Sequence, residues 1–162
     1  MPLWSTFATI SGSAAGALIG LLFVAVSIRI DVVAGSTELL SRAAQTLVLF
    51  VTALFIAILL AIPHQSDVAL GVELVVLAAL TGTALIALDH RAKAHPGGDR
   101  ISNVVHRVQP NATTSALLLV AGSLLIASVN AGVYVLVACV LTATGGGVIS
   151  AWLFLTKIVP EP

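Results

Sequence analysis

The sequence predicts an all-α integral membrane protein: a bundle of five transmembrane helices, N-terminus out and C-terminus in. Three observations carry that expectation: a scarcity of charge, long apolar blocks, and a one-sided distribution of Lys and Arg. Of the 162 residues, 9% are charged and 59% are hydrophobic, whereas a soluble domain carries about a quarter charged residues. Too few polar side chains remain to cover a globule of this size. The apolar residues are gathered into blocks. Residues 1–28 and 43–63 contain no charged side chain, 68–88 contain only Glu73, and 108–156 contain none. A helix needs about 17–25 such residues to cross the hydrocarbon core. Net charge is zero, so there is no electrostatic case for nucleic acid.

Each span follows from its block and its punctuation. The first covers 8–28, and no Lys or Arg precedes it. A cleavable leader would open with positive charge, so this block reads as a retained span. In the loop "RIDVVAGSTELLSR", Ser36 suits an N-cap, and Glu38 with Arg42 makes an i,i+4 pair. The second span covers 43–62 and stops at Pro63. After "PHQSD" the third covers 68–88. A loop over 89–112 follows, and its Pro-Gly-Gly cannot be helix interior.

The run 113–156 has 44 residues. As one helix it would be about 66 Å long, against a hydrocarbon core of about 30 Å. It must fold back, and Asn130-Ala131-Gly132 is the expected place, since Asn and Gly tolerate left-handed backbone. That gives spans over 113–129 and 133–156. With five spans, all 7 Lys and Arg fall on one side and none on the other. The positive-inside rule then places that side in the cytoplasm. Four spans would divide them 6 to 1. Trp4 and Tyr134 fall at the outer boundary and Trp152 near the inner one, where amphipathic rings sit.

Four features could carry function. Gly12, Gly16 and Gly20 recur every four residues, with Ala8 extending the row. Such a groove lets a second helix approach closely, either from another copy or from the same chain. Glu73 is the one acidic or basic residue inside a span, about 7–8 Å below the outer boundary. Thr9, Ser13 and Ser128 are expected at similar depth, with His64 and Asp67 just above, which together would make a polar vestibule. Gly145, Gly146 and Gly147 lie near the middle of the fifth span beside Thr142 and Thr144. They admit either a helix break lining a transport site or a continuous helix with a flat packing face. Within the third loop, Ile101, Val104, Val105 and Val108 share one helical face flanked by Arg100 and Arg107. An interfacial helix over 100–109 is expected there.

No reaction is legible. No G-x-S-x-G, H-E-x-x-H or G-x-x-x-x-G-K-[ST] motif occurs. His90, His95 and His106 lie near Asp89 and Asp99 without a zinc spacing, so no metal and no cofactor is expected. The lone Cys139 reads as a small buried hydrophobe.

"SAAGALIGLLFVAVSIRID" followed by "LLSRAAQTLVLFVTAL" resembles a group of small, uncharacterised multi-pass bacterial inner-membrane proteins. These open with a Gly/Ala-rich span ending in a Phe-Val-Ala-x-Ser run, here Phe23 to Ser27. The likeness covers the first two spans. It implies a bacterial cytoplasmic-membrane location and transfers no site. The expected function is non-enzymatic: helix–helix association in the bilayer, as a homo-oligomer or as a subunit of a membrane complex. The alternative is a solute or ion pathway using Glu73 and a break at Gly145–Gly147.

Overall fold

The computed structural model describes residues 2–28, 30–93, 110–129 and 131–158. Among these residues six helices follow in order: α1 Pro2–Ile28, α2 Ile30–Ala34, α3 Thr37–Ala61, α4 Asp67–Lys93, α5 Pro110–Ile126 and α6 Ala131–Ile158. No strand occurs among the described residues. Four helices, α1, α3, α4 and α6, are long and apolar enough to cross a membrane. The fifth apolar helix, α5, is shorter, at 17 residues. The expected interfacial helix at 100–109, the residues His95, Asp99 and His106, and the Glu38 side chain of the Glu38–Arg42 pair lie outside what is described.

Local chemistry explains the helix ends. Ser36, in extended backbone, accepts a bond from Leu39 N–H at 3.4 Å and caps α3. Ile62 takes the extended conformation expected before a proline and ends α3 one residue ahead of Pro63. Ser66 caps α4 in the same way, through Ala69 N–H at 3.2 Å. Between α1 and α3 sits the one-turn α2, whose Val33 is buried against Val26, Leu39 and Ala43.

The 44-residue apolar run does fold back, between Ile126 and Ala131; of the expected Asn130-Ala131-Gly132, Asn130 lies outside the described residues and the other two do not form the turn. Helix α5 closes with Val129 N–H bonded to Leu124 C=O and Ser128 N–H bonded to Leu125 C=O, both at 2.9 Å. Those are the two bonds of a Schellman cap, with Ser128 at the left-handed position, φ 59°. Ala131 and Gly132 already belong to α6. Gly132 is held back from the turn by packing: a methyl group on it would lie 2.9 Å from Ala121 C=O and 2.8 Å from Leu125 Cγ.

Helices α3, α4, α5 and α6 form a closed ring in that order, with α6 returning to α3. Helix α1 lies outside the ring, along α3, and meets α6 only slightly. Residue pairings fix the directions. Gly132 faces Ala121 and Cys139 faces Thr114, so α5 and α6 are antiparallel. Gly71 faces Gly122 and Gly82 faces Ser115, so α4 and α5 are antiparallel too. Trp4 packs edge-on against Tyr134, ring centroids 5.6 Å apart, which puts the starts of α1 and α6 at one end. The core runs through the ring, with Ala53, Ile56, Leu74, Leu118, Leu136 and Ala143 buried.

Candidate functional site

The row Gly12, Gly16, Gly20 divides in the structure. Helix α1 meets the bundle through Ala8, Ser11, Ala15 and Leu22, all buried. Their spacing of three, four and seven residues keeps one narrow seam toward α3. A four-residue spacing instead advances about 40° around the helix at each step. Gly12 therefore still touches α3: a methyl group there would lie 3.2 Å from Ala57 Cβ. At Gly16 and Gly20 it would find nothing within 4 Å. Both glycines are exposed, as are Thr9 and Ser13 beside them. Thr9 Oγ1 donates to Ser5 C=O at 2.9 Å and so needs no other partner in lipid. One flank of the outer face of α1, Thr9, Ser13, Gly16 and Gly20, is thus made of small side chains that the chain itself leaves uncovered, while Ile10 and Leu21 are exposed on the other flank.

Close helix packing inside the chain uses other glycines, which the spacing argument missed. Methyl groups at Gly71 and Gly122 would lie 2.8 Å and 2.9 Å from each other's carbonyl oxygens, so α4 and α5 touch backbone to backbone there. Gly147 carries the Phe50 ring directly on its Cα. Gly145 faces open space. The signal available was the isolation of Gly71 and Gly122 in otherwise apolar helices, where a glycine without a turn has a packing reason.

Helix α6 runs unbroken through Gly145, Gly146 and Gly147. The helix-break form of the pathway reading is corrected by that continuity. Phe50 fills the space that a larger residue at 147 would occupy, and the i→i−4 ladder stays intact. Thr142 and Thr144 donate to Ala138 C=O and Val140 C=O at 2.7 Å each. They satisfy their own helix and do not converge with Glu73. Glu73 is half-buried on α4 and accepts a bond from the Gln65 side-chain amide of the 62–66 turn. Thr9 and Ser13 lie on the uncovered face of α1, which packs on α3, not α4. Thr9 and Ser13 therefore do not join Glu73, and Gln65, absent from the expected residues, bonds to it instead.

Deep in the ring, Thr52 of α3 and Thr81 of α4 meet at 3.1 Å. Thr52 spends its proton on Val48 C=O at 2.7 Å, so Thr81 is the donor between them. Cys139 is buried and points its thiol at Thr114 C=O, 3.5 Å away. Among the described residues no group of three His, Cys, Asp or Glu side chains is arranged to hold a metal. A groove of about 180 Å³ between α1 and α3, among Leu22, Phe23, Val26 and Leu47, is lined by apolar side chains and offers a polar solute no handle. The chain matches no protein-family model, no curated protein and no solved structure.

Proposed function

We propose that this chain is a non-enzymatic membrane protein that associates with a second copy of itself through the outer face of α1. We propose further that α5 is a fifth span, that the N-terminus lies outside, and that the tail lies in the cytoplasm of a bacterial cell. The observation that carries association is the open space at Gly16 and Gly20, on a helix whose opposite face is already committed to α3. In lipid there is no hydrophobic drive between helices. Close approach, with the dispersion and Cα–H···O contacts it permits, is what holds them. Glycines whose only intramolecular effect is to weaken α1 have a use when another backbone comes against them.

The experiment compares positions on the same row. Gly16→Leu and Gly20→Leu reduce the oligomer measured in lipid nanodiscs to a monomer and leave the melting temperature within a few degrees of wild type. Gly12→Leu, which drives a side chain into Ala57, lowers the melting temperature. An oligomer that survives both Gly16→Leu and Gly20→Leu removes the proposal.

A further inference from the structure

Several hydroxyl groups in these helices bond to their own backbone. Thr46, Thr52, Thr142 and Thr144, for example, donate to the carbonyl four residues back, at 2.7–3.0 Å. Two neighbours in the second turn of α5 do not. Thr114 Oγ1 and Ser115 Oγ are both enclosed, and neither has a hydrogen-bond partner among the described residues. Thr114 is 0% exposed. Its backbone carbonyl is approached by the Cys139 thiol from α6, while Ser115 Oγ lies against Gly82 of α4, 3.9 Å from where a Cβ would stand. The two hydroxyls thus sit where α5 meets both of its neighbours. A buried hydroxyl that bonds to nothing is a net cost, which a valine or an alanine would avoid.

We propose that Thr114 Oγ1 and Ser115 Oγ hold a buried water molecule at the junction of α4, α5 and α6. Each hydroxyl is both donor and acceptor, so a single water can bond to both at once. Those two bonds fall within the two to four that a buried water makes. An ion fits less well. Gly82 beside Ser115 Oγ and the Cys139 thiol at the Thr114 carbonyl are uncharged, and an ion there would lose its hydration without a counter-charge. The absence of a Cβ at Gly82 leaves room on the α4 side. The assignment does not depend on how α1 associates, because α1 does not pack against α5.

The test uses the full chain in lipid bilayers and water itself as the probe. In solid-state NMR, magnetisation passes from water to the Thr114 and Ser115 side chains several-fold faster than to Leu118, one turn further into the core. Transfer as slow as at Leu118 overturns the assignment. A second arm reads stability. With water bound, Thr114→Val and Ser115→Ala each lower the melting temperature. The double variant then loses less than the sum, since both substitutions remove the same water. A melting temperature that is unchanged or raised by Thr114→Val means that an unpaired hydroxyl has been removed, and the proposal fails.

Discussion

At Gly147 a methyl group would run into the Phe50 ring, while two residues earlier, at Gly145, it would meet open space. The same amino acid in the same helix therefore has opposite consequences. Gly147→Ala costs about 1–3 kcal/mol, the usual penalty for overfilling a packed contact. Gly145→Ala gains up to about 1 kcal/mol, because alanine is the better helix former and nothing resists it. Thermal unfolding of the two variants in nanodiscs checks the pair, and equal effects would contradict the contact. Gly71 and Gly122 extend the argument across helices. Each blocks a methyl group on the other's carbonyl, so Gly71→Ala and Gly122→Ala are both destabilising. Their double variant departs from additivity, because one separation of α4 from α5 accommodates both methyl groups. Such residues were only half legible beforehand. A row at four-residue spacing is visible in the chain. Whether a given glycine meets a ring, a carbonyl or nothing depends on helix phase, and phase is set by the partner helix.

Helix ends were legible where one residue type dictates the backbone. Ser36 caps α3 and Pro63 ends it at the expected places. Ser36→Ala accordingly costs about 1 kcal/mol, as loss of an N-cap usually does. The α5–α6 reversal was legible in existence but not in position. Length alone requires it, since an apolar run of 44 residues exceeds the membrane. The choice of Asn130-Ala131-Gly132 rested on intrinsic tolerance of left-handed backbone. Packing overrode that preference, because Gly132 is needed against Ala121 and Leu125. Ser128 takes the left-handed position instead, where an L side chain is strained. Ser128→Gly is therefore expected to raise stability by up to about 1 kcal/mol, relief of strain outweighing added chain entropy. A fall in melting temperature would mean that the side chain contributes something the backbone geometry does not reveal. Helix α2 went unanticipated, since "RIDVVAG" is too short to show a period.

For the whole molecule, composition and block length made the helical membrane class readable at once. The closed ring of α3 to α6, with α1 outside it, was not, because five apolar helices of similar composition can be arranged in many ways. That arrangement matters for function. A helix attached along one seam keeps its other face for something else, and one flank of the face that α1 keeps is small and weakly polar. On the proposed five-span topology all 7 Lys and Arg fall on one side, and the positive-inside rule then predicts a cytoplasmic tail. A fluorescent protein fused after Pro162 is then bright and a phosphatase fused there is inactive, whereas periplasmic phosphatase activity would contradict the topology. Association through α1 is tested most directly by disulfide trapping between copies in native membranes, with single cysteines placed along α1 in a Cys139→Ala background. The account predicts covalent dimers from Ser13→Cys, Gly16→Cys and Gly20→Cys, and none from Ile10→Cys, Ala14→Cys or Leu21→Cys, which are exposed on the other flank. Dimers from both sets alike, or from neither, would contradict it.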